Sequence, residues 1–340
     1  MENLVGALRR KAGQPPRPPR RGTGVTWAAR LQRPFTTLHS AAGNDRKDVA
    51  QLLIDGGADP NETDKHGRTP LYCAAAKGHE DLVRLLIDAD ADPNESDEDG
   101  CTPLHCVVKG DKCKDYNIYL PLLKLLLDGG ADPTWGDNDG ETPLHFAVWK
   151  GDADAAKLLI DAGADPNKAN RHGRTSLHWA VVNGHKAAAQ ISADGGADAK
   201  KGASGTGNPL RWAAAKGFKD VIQLLIDKGA DPNKKDHYGR TPLLWAAFYG
   251  YKDGAKLLID GGADPNETEE DGHTWPLLWC AFNGYKDVAQ LLIDAGADID
   301  KADERGRTAL HFATLKCHKD VVHCLKAAGA HVRIHAVAGL

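Results

Sequence analysis

Histidine is the residue type here with the most evident chemical potential. There are 15 of them. One group near the C-terminal end, Cys317, His318, His323, Cys324, His331 and His335, offers the donor types of a zinc site. Its spacing does not match the close Cys/His pairs of a structural zinc module, and helical phasing sends His323 outward and Cys324 inward. Carboxylates are plentiful, but they recur at regular intervals, which suits turns and helix caps rather than one acid/base pair. The stretch GASGTG (202–207) has the glycine content of a phosphate-cradling loop. No Lys-Ser/Thr follows its last glycine, and no strand-then-helix pattern frames it. No Ser/His/Asp or Cys/His set stands outside the regular pattern. No catalytic residue, metal ligand or cofactor is therefore assigned, and the chain reads as non-enzymatic.

The regularity has a unit, Thr142 to Arg174, reading TPLHFAVWKGDADAAKLLIDAGADPNKANRHGR. Thr142 suits a helix N-cap and Pro143 the first helical position. Leu144, Ala147 and Val148 recur at helical spacing. Gly151 breaks this helix and Asp152 can cap a second. The second helix buries Ala155, Ala156, Leu158 and Leu159, and Gly163 ends it in the left-handed conformation. Pro166, Asn167, Asn170 and Gly173 supply turn chemistry. A helix pair this short cannot bury its apolar face alone, so copies must stack on it. They begin at Thr36, Thr69, Thr102, Thr142, Thr175, Asn208, Thr241, Thr274 and Thr308.

Those elements, TPLH, the glycine between helices, the LL pair, GADPN and D-x-x-G-R, resemble the ankyrin repeat family across about nine tenths of the chain (36–335). The resemblance implies an all-α repeat solenoid of helix-turn-helix units with β-hairpin fingers. It also implies a protein-binding role through the concave face. The fourth letter of TPLH is His39, His105, His145, His178 and His311; in the family this His hydrogen-bonds the hairpin backbone. Finger asparagines in a Leu-x7-Asn context are hydroxylation substrates in the family. Asn61, Asn167 and Asn233 fit that context, although Pro precedes each where Val is favoured.

The chain divides into 1–35, a basic Pro/Arg-rich tail and cap expected to be disordered, and 36–340, the repeat domain. The formal net charge is -4. The tail is basic, so the repeats carry all of the acidic excess, which argues against nucleic acid as the main partner. Seven cysteines without a framework spacing suggest a reducing compartment. No apolar run is long enough to span a membrane. A cytoplasmic monomer is expected, with a nuclear location also open. In the tail, Pro15, Pro18 and Arg20 fit the PxxPxR pattern of SH3 ligands. An adaptor recruiting SH3-containing or ubiquitin-ligase partners is thus the alternative reading, although no SOCS box or F-box is recognisable.

Departures from the period carry information. Asp90 and Cys317 replace expected glycines. Seven extra residues fall within 109–121, and Pro121 marks the expected start of that repeat's second helix. Repeat five is the expected weak link, because Ser192 occupies a buried leucine position and its finger lacks the Asp-x-x-Gly turn. Repeat eight carries an inserted Trp275.

The aromatic pattern is the strongest functional signal. The residue after TPLH is aromatic in the last six repeats: Phe146, Trp179, Trp212, Trp245, Trp279 and Phe312. In near-identical repeats, equivalent positions form a stripe. Trp149, Phe248, Tyr249 and Phe282 add large rings at letters expected to face solvent. Exposed aromatic groups mark contact surfaces. The reading is a protein-interaction scaffold whose partner contacts Phe146, Trp149, Trp179, Trp212, Trp245, Phe248, Tyr249, Trp279 and Phe282.

Overall fold

The computed structural model describes residues 37–110, 116–200 and 208–331. Thr36, Pro15, Pro18, Arg20 and the finger 201–207 lie outside them. The described residues contain 18 α-helices, in nine pairs. First helices such as Pro143–Lys150 pack on one another in chain order, and second helices such as Ala153–Asp161 do the same. Each first helix also packs on its own repeat's second helix. One core cluster runs along the array, built mainly from Leu and Ala.

Local chemistry starts each unit. Thr69 and Thr241 accept a hydrogen bond from the backbone N–H three residues on, and Asn208 does likewise. In repeats three, four, five and nine a capping box replaces this, with His Nδ1 accepting from the Thr backbone N–H. Asp152 caps the second helix of repeat four as its sequence implies, accepting from the Ala155 N–H. Between the helices, Gly217 and Gly250 have φ of 72° and 76°. A Cβ there would lie 2.8 and 2.7 Å from the rings of Tyr251 and Tyr285 in the following repeat. Space as well as conformation demands glycine at these two joints.

Repeats are stitched by polar bridges. Asn233 Nδ2 donates to the Gly262 carbonyl at 2.9 Å, and its Oδ1 accepts from the Asp264 N–H at 2.8 Å. Asn61 and Asn167 bridge to their next repeats in the same way. His105 Nε2 meets the Glu141 carbonyl at 3.1 Å and His145 Nε2 the Arg174 carbonyl at 3.2 Å.

Three expectations need correction. The fingers are tight turns rather than strand hairpins. Each closes on a backbone bond at its base, as from Asp236 N–H to the Arg240 carbonyl, and a second within the turn, from Gly239 N–H to the Asp236 carbonyl; Asp236 Oδ1 also accepts from the Tyr238 and Arg240 N–H groups. Only an isolated bridge, Ala302 to Thr308, appears among the described residues. Second, Pro121 lies inside the helix Tyr116–Asp128, not at its start. The helix has 13 residues against nine in second helices such as Ala153–Asp161, about one extra turn, and Tyr119 packs into the core. Third, Trp275 is not an extra residue ahead of the helix but takes the N-cap position, with its ring buried. The additional residue sits in the finger, where Glu269 N–H bonds the Thr274 carbonyl. Repeat eight thus begins at Trp275, and the displaced Thr274 hydroxyl is buried without a partner among the described residues. Ser192 is buried at the expected leucine position, and its hydroxyl donates to the Ala188 carbonyl at 2.9 Å. Its deficit is one of apolar burial alone.

Candidate functional site

The expected stripe exists, but its two ring sets merge. Trp179, Trp212, Trp245 and Trp279 are half-buried, each projecting from its first helix. Phe248 and Phe282, expected to face solvent, are half-buried as well. Phe248 meets the Trp279 ring edge-on at 4.7 Å, and Trp245 at 6.1 Å. Phe282 lies 5.9 Å from Trp279 and 6.2 Å from Phe312. Rings from repeats seven, eight and nine thus form one continuous aromatic surface. Edge-to-face contacts of this kind contribute about 0.5–1.5 kcal/mol beyond burial. Phe248 and Phe282 turn inward because the next repeat's ring offers a better neighbour than water. Trp149 and Tyr249 do face solvent, at 49% and 43% exposure.

Cations cap these rings, and the sequence reading missed them. Lys109 lies over Phe146 (4.2 Å), Arg240 over Trp245 (4.3 Å), Arg307 over Phe312 (4.8 Å) and Lys316 over Phe282 (4.3 Å). Arg174 covers Trp179 and Arg211 covers Trp212. A signal was present: the arginine closing a finger stands five residues before the ring, as in Arg174–Trp179, Arg240–Trp245 and Arg307–Phe312. The stacking of finger on helix turns that interval into a cation–π contact.

Carboxylates hold the cations from beneath. Asp137 accepts from Lys109 Nζ at 2.9 Å, Asp236 from Arg240 Nε at 3.3 Å, and Asp303 from Arg307 Nε at 2.7 Å. Burial opposes ionisation of these three aspartates, but their cations and backbone N–H donors prevail and hold their pKa values below the ordinary carboxylate range. Glu141 is the exception: burial pushes its carboxyl upward despite bonds from Asn170 Nδ2 and Trp179 Nε1. Trp245 Nε1 donates to Asp236 Oδ2 at 3.4 Å.

Two cavities open on this surface. One of about 510 Å³ is lined by Trp279, Phe282, Phe312, His273 and Arg307, among others. The other, about 260 Å³, is walled by Phe146, Trp149 and Trp179, with Lys109, Lys150 and Glu141 at its edge. Of the C-terminal Cys/His group, His335 lies outside the described residues; among the rest, Cys324 is buried and Cys317 is exposed. No cluster of potential metal ligands occurs among the described residues, and none of their helices is long and apolar enough to cross a membrane.

Stacked helix pairs, turn-built fingers and a face of aromatic side chains in repeat register define a helical repeat protein. Profiles described as ankyrin repeats (3 copies) match residues 38–118, 113–202 and 190–269, and one described as ankyrin repeats (many copies) matches 277–325. The chain belongs to the ankyrin repeat family. Among solved structures it is similar to the crystal structure of the human ASB11 ankyrin repeat domain. That match has 25% identity and a TM-score of 0.57, and covers 68% of this chain and 100% of that one. No curated protein sequence matches.

Proposed function

We propose that this chain is a non-enzymatic protein-interaction scaffold that binds a protein partner through the face carrying its first helices and fingers, across repeats four to eight. Ankyrin repeats are generally protein–protein interaction modules, which supports the class. The observation that carries the site is the joined aromatic surface. It runs from Trp245 through Phe248, Trp279 and Phe282 to Phe312, with Tyr249 exposed beside it and Trp149 exposed in repeat four. Large rings already fixed by their neighbours lose little entropy on binding, so their burial converts efficiently to affinity.

The test is a triple variant, Phe248→Ala, Tyr249→Ala and Phe282→Ala, used as bait beside the wild-type chain. A specific partner retained by the wild type should be lost, with the far-ultraviolet circular dichroism of the two baits the same. Retention of that partner by the folded variant removes this face from the binding site.

A further inference from the structure

Repeats five to seven present three consecutive tryptophans, each covered by an arginine. Arg174 lies 5.2 Å from the Trp179 ring, Arg211 4.3 Å from Trp212, and Arg240 4.3 Å from Trp245. The charges here are layered. The Asp236 side chain is 1% exposed, against 23% for Arg240 above it. Glu141 likewise turns inward, to Asn170 and Trp179. Arg174 forms no ion pair among the described residues. The outermost charge of this tract is therefore positive, although the chain as a whole is acidic. Fingertips to either side carry Glu98 and Asp99, Asp139, or Glu270 and Asp271, while those beside Trp179 and Trp245 carry Arg171 and His172, or His237. The 260 Å³ cavity beneath Trp149 adjoins the tract at repeat four.

We propose that the Arg–Trp tract recognises an extended acidic peptide segment of a protein partner, with carboxylates set against Arg174 and Arg240 and one apolar side chain seated in the cavity under Trp149. This deepens the protein-binding reading above and rests on it. A guanidinium lying flat on an indole keeps its edge free for a bidentate carboxylate, and the ring beneath limits its competing hydration. Packed helices lie about 8–10 Å apart and an extended chain advances about 3.3 Å per residue. Repeats four to seven therefore span about nine residues of ligand. A peptide can confine its carboxylates to the tract. A nucleic-acid strand carries charge on every phosphate and would meet the acidic fingertips on both sides.

The experiment titrates the full chain with synthetic peptides of about nine residues, following tryptophan fluorescence and calorimetry. One peptide alternates Asp/Glu with Ser and ends in Leu; its counterparts carry Lys/Arg or only Ser/Gly in place of the acids. The acidic peptide should bind at least about tenfold more tightly than the neutral one, and the basic one should not bind. Raising salt from about 50 to 500 mM should weaken the acidic complex about tenfold. Arg174→Glu should abolish it with circular dichroism unchanged, Trp149→Ala should weaken it, and Lys157→Glu, exposed on the second helix Ala153–Asp161, should leave it intact. Equal binding of the neutral peptide, no binding of the acidic one, or displacement by single-stranded DNA of the same length overturns the proposal. A partner that is lost with the triple aromatic variant, yet holds to Arg174→Glu in high salt, leaves the binding face standing and removes only the acidic chemistry.

Discussion

Among the described residues three other than glycine adopt a left-handed backbone: Asp45, Asp90 and Cys317, at φ of 54°, 61° and 60°. Each stands where the neighbouring repeat has a glycine, at Gly78, Gly57 and Gly284. The fold imposes the conformation and the residue bears its cost, about 1–2 kcal/mol for a side chain with a Cβ. Asp45 recovers something from His79, 3.7 Å away. Cys317, exposed in the last repeat, has no such ion pair among the described residues. Cys317→Gly should therefore stabilise the C-terminal repeat by about 1 kcal/mol, seen as a higher unfolding midpoint. Cys317→Ala keeps the Cβ and should give no gain; equal gains from both would mean that the thiol, not the backbone, was at fault. The position was legible in the sequence as a break in the repeat pattern. The Asn and His bridges were legible as repeated letters, while their partners, about thirty residues away, needed the stack.

Among the elements, the second helix of repeat five, Lys186–Asp194, departs most from its equivalents. Leu159, Leu225 and Leu258 are fully buried in the neighbouring repeats, and Ser192 is the fully buried counterpart here. Its hydroxyl is satisfied locally, so the helix forms, but it contributes little apolar area to the stack. Ser192→Leu should stabilise the array by about 2–4 kcal/mol if the site accommodates the larger side chain. Hydrogen exchange of repeats five and six should slow in parallel. An unchanged denaturation midpoint would show that this helix is not the weak point. The inserted helix of repeat three shows a different limit of sequence reasoning. Proline usually marks a helix start, yet Pro121 sits within Tyr116–Asp128, because burial of the apolar helix outweighs one missing backbone bond. The Arg–Trp pairs belong to the same scale: the five-residue interval is visible in sequence, but only a finger folded onto its helix brings the groups together.

Across the whole molecule, repeated burial of one polar group creates a shared pH dependence. Burial lowers the pKa of His105 and His145 from 6.5 to about 4, by disfavouring the imidazolium. The unfolded chain takes up protons on them first, so their contribution is complete above pH 6.5 and is lost as pH falls toward 4. Each is worth up to about 3 kcal/mol over that window. Asp64, held at about 2 chiefly by bonds from Arg68 and the turn backbone that overcome its burial, extends the loss to lower pH. Glu141, raised by burial, acts in the opposite sense, but as one group against several. The urea midpoint should therefore fall steeply between pH 6.5 and 4, and His145→Gln should flatten that slope. A midpoint constant across the window would contradict neutral buried imidazoles. In a nearest-neighbour array such losses act at each interface, so terminal and weakened repeats should open before the rest.

The sequence by itself determined the repeat, its helix pairs, the caps, the glycine joints and the ring positions along the first helices, because each depends on short-range chemistry repeated in register. Only the tertiary structure decided which rings face water and which lie against one another. Phe248 and Trp149 occupy the same letter of the repeat, yet one is packed by Trp279 and the other stands over an open cavity. Exposure depends on what the adjacent repeat places there, and the sign of the surface charge depends on whether carboxylate or guanidinium lies outermost. Both are settled by contacts between residues about thirty positions apart, which the letters of a single repeat do not contain.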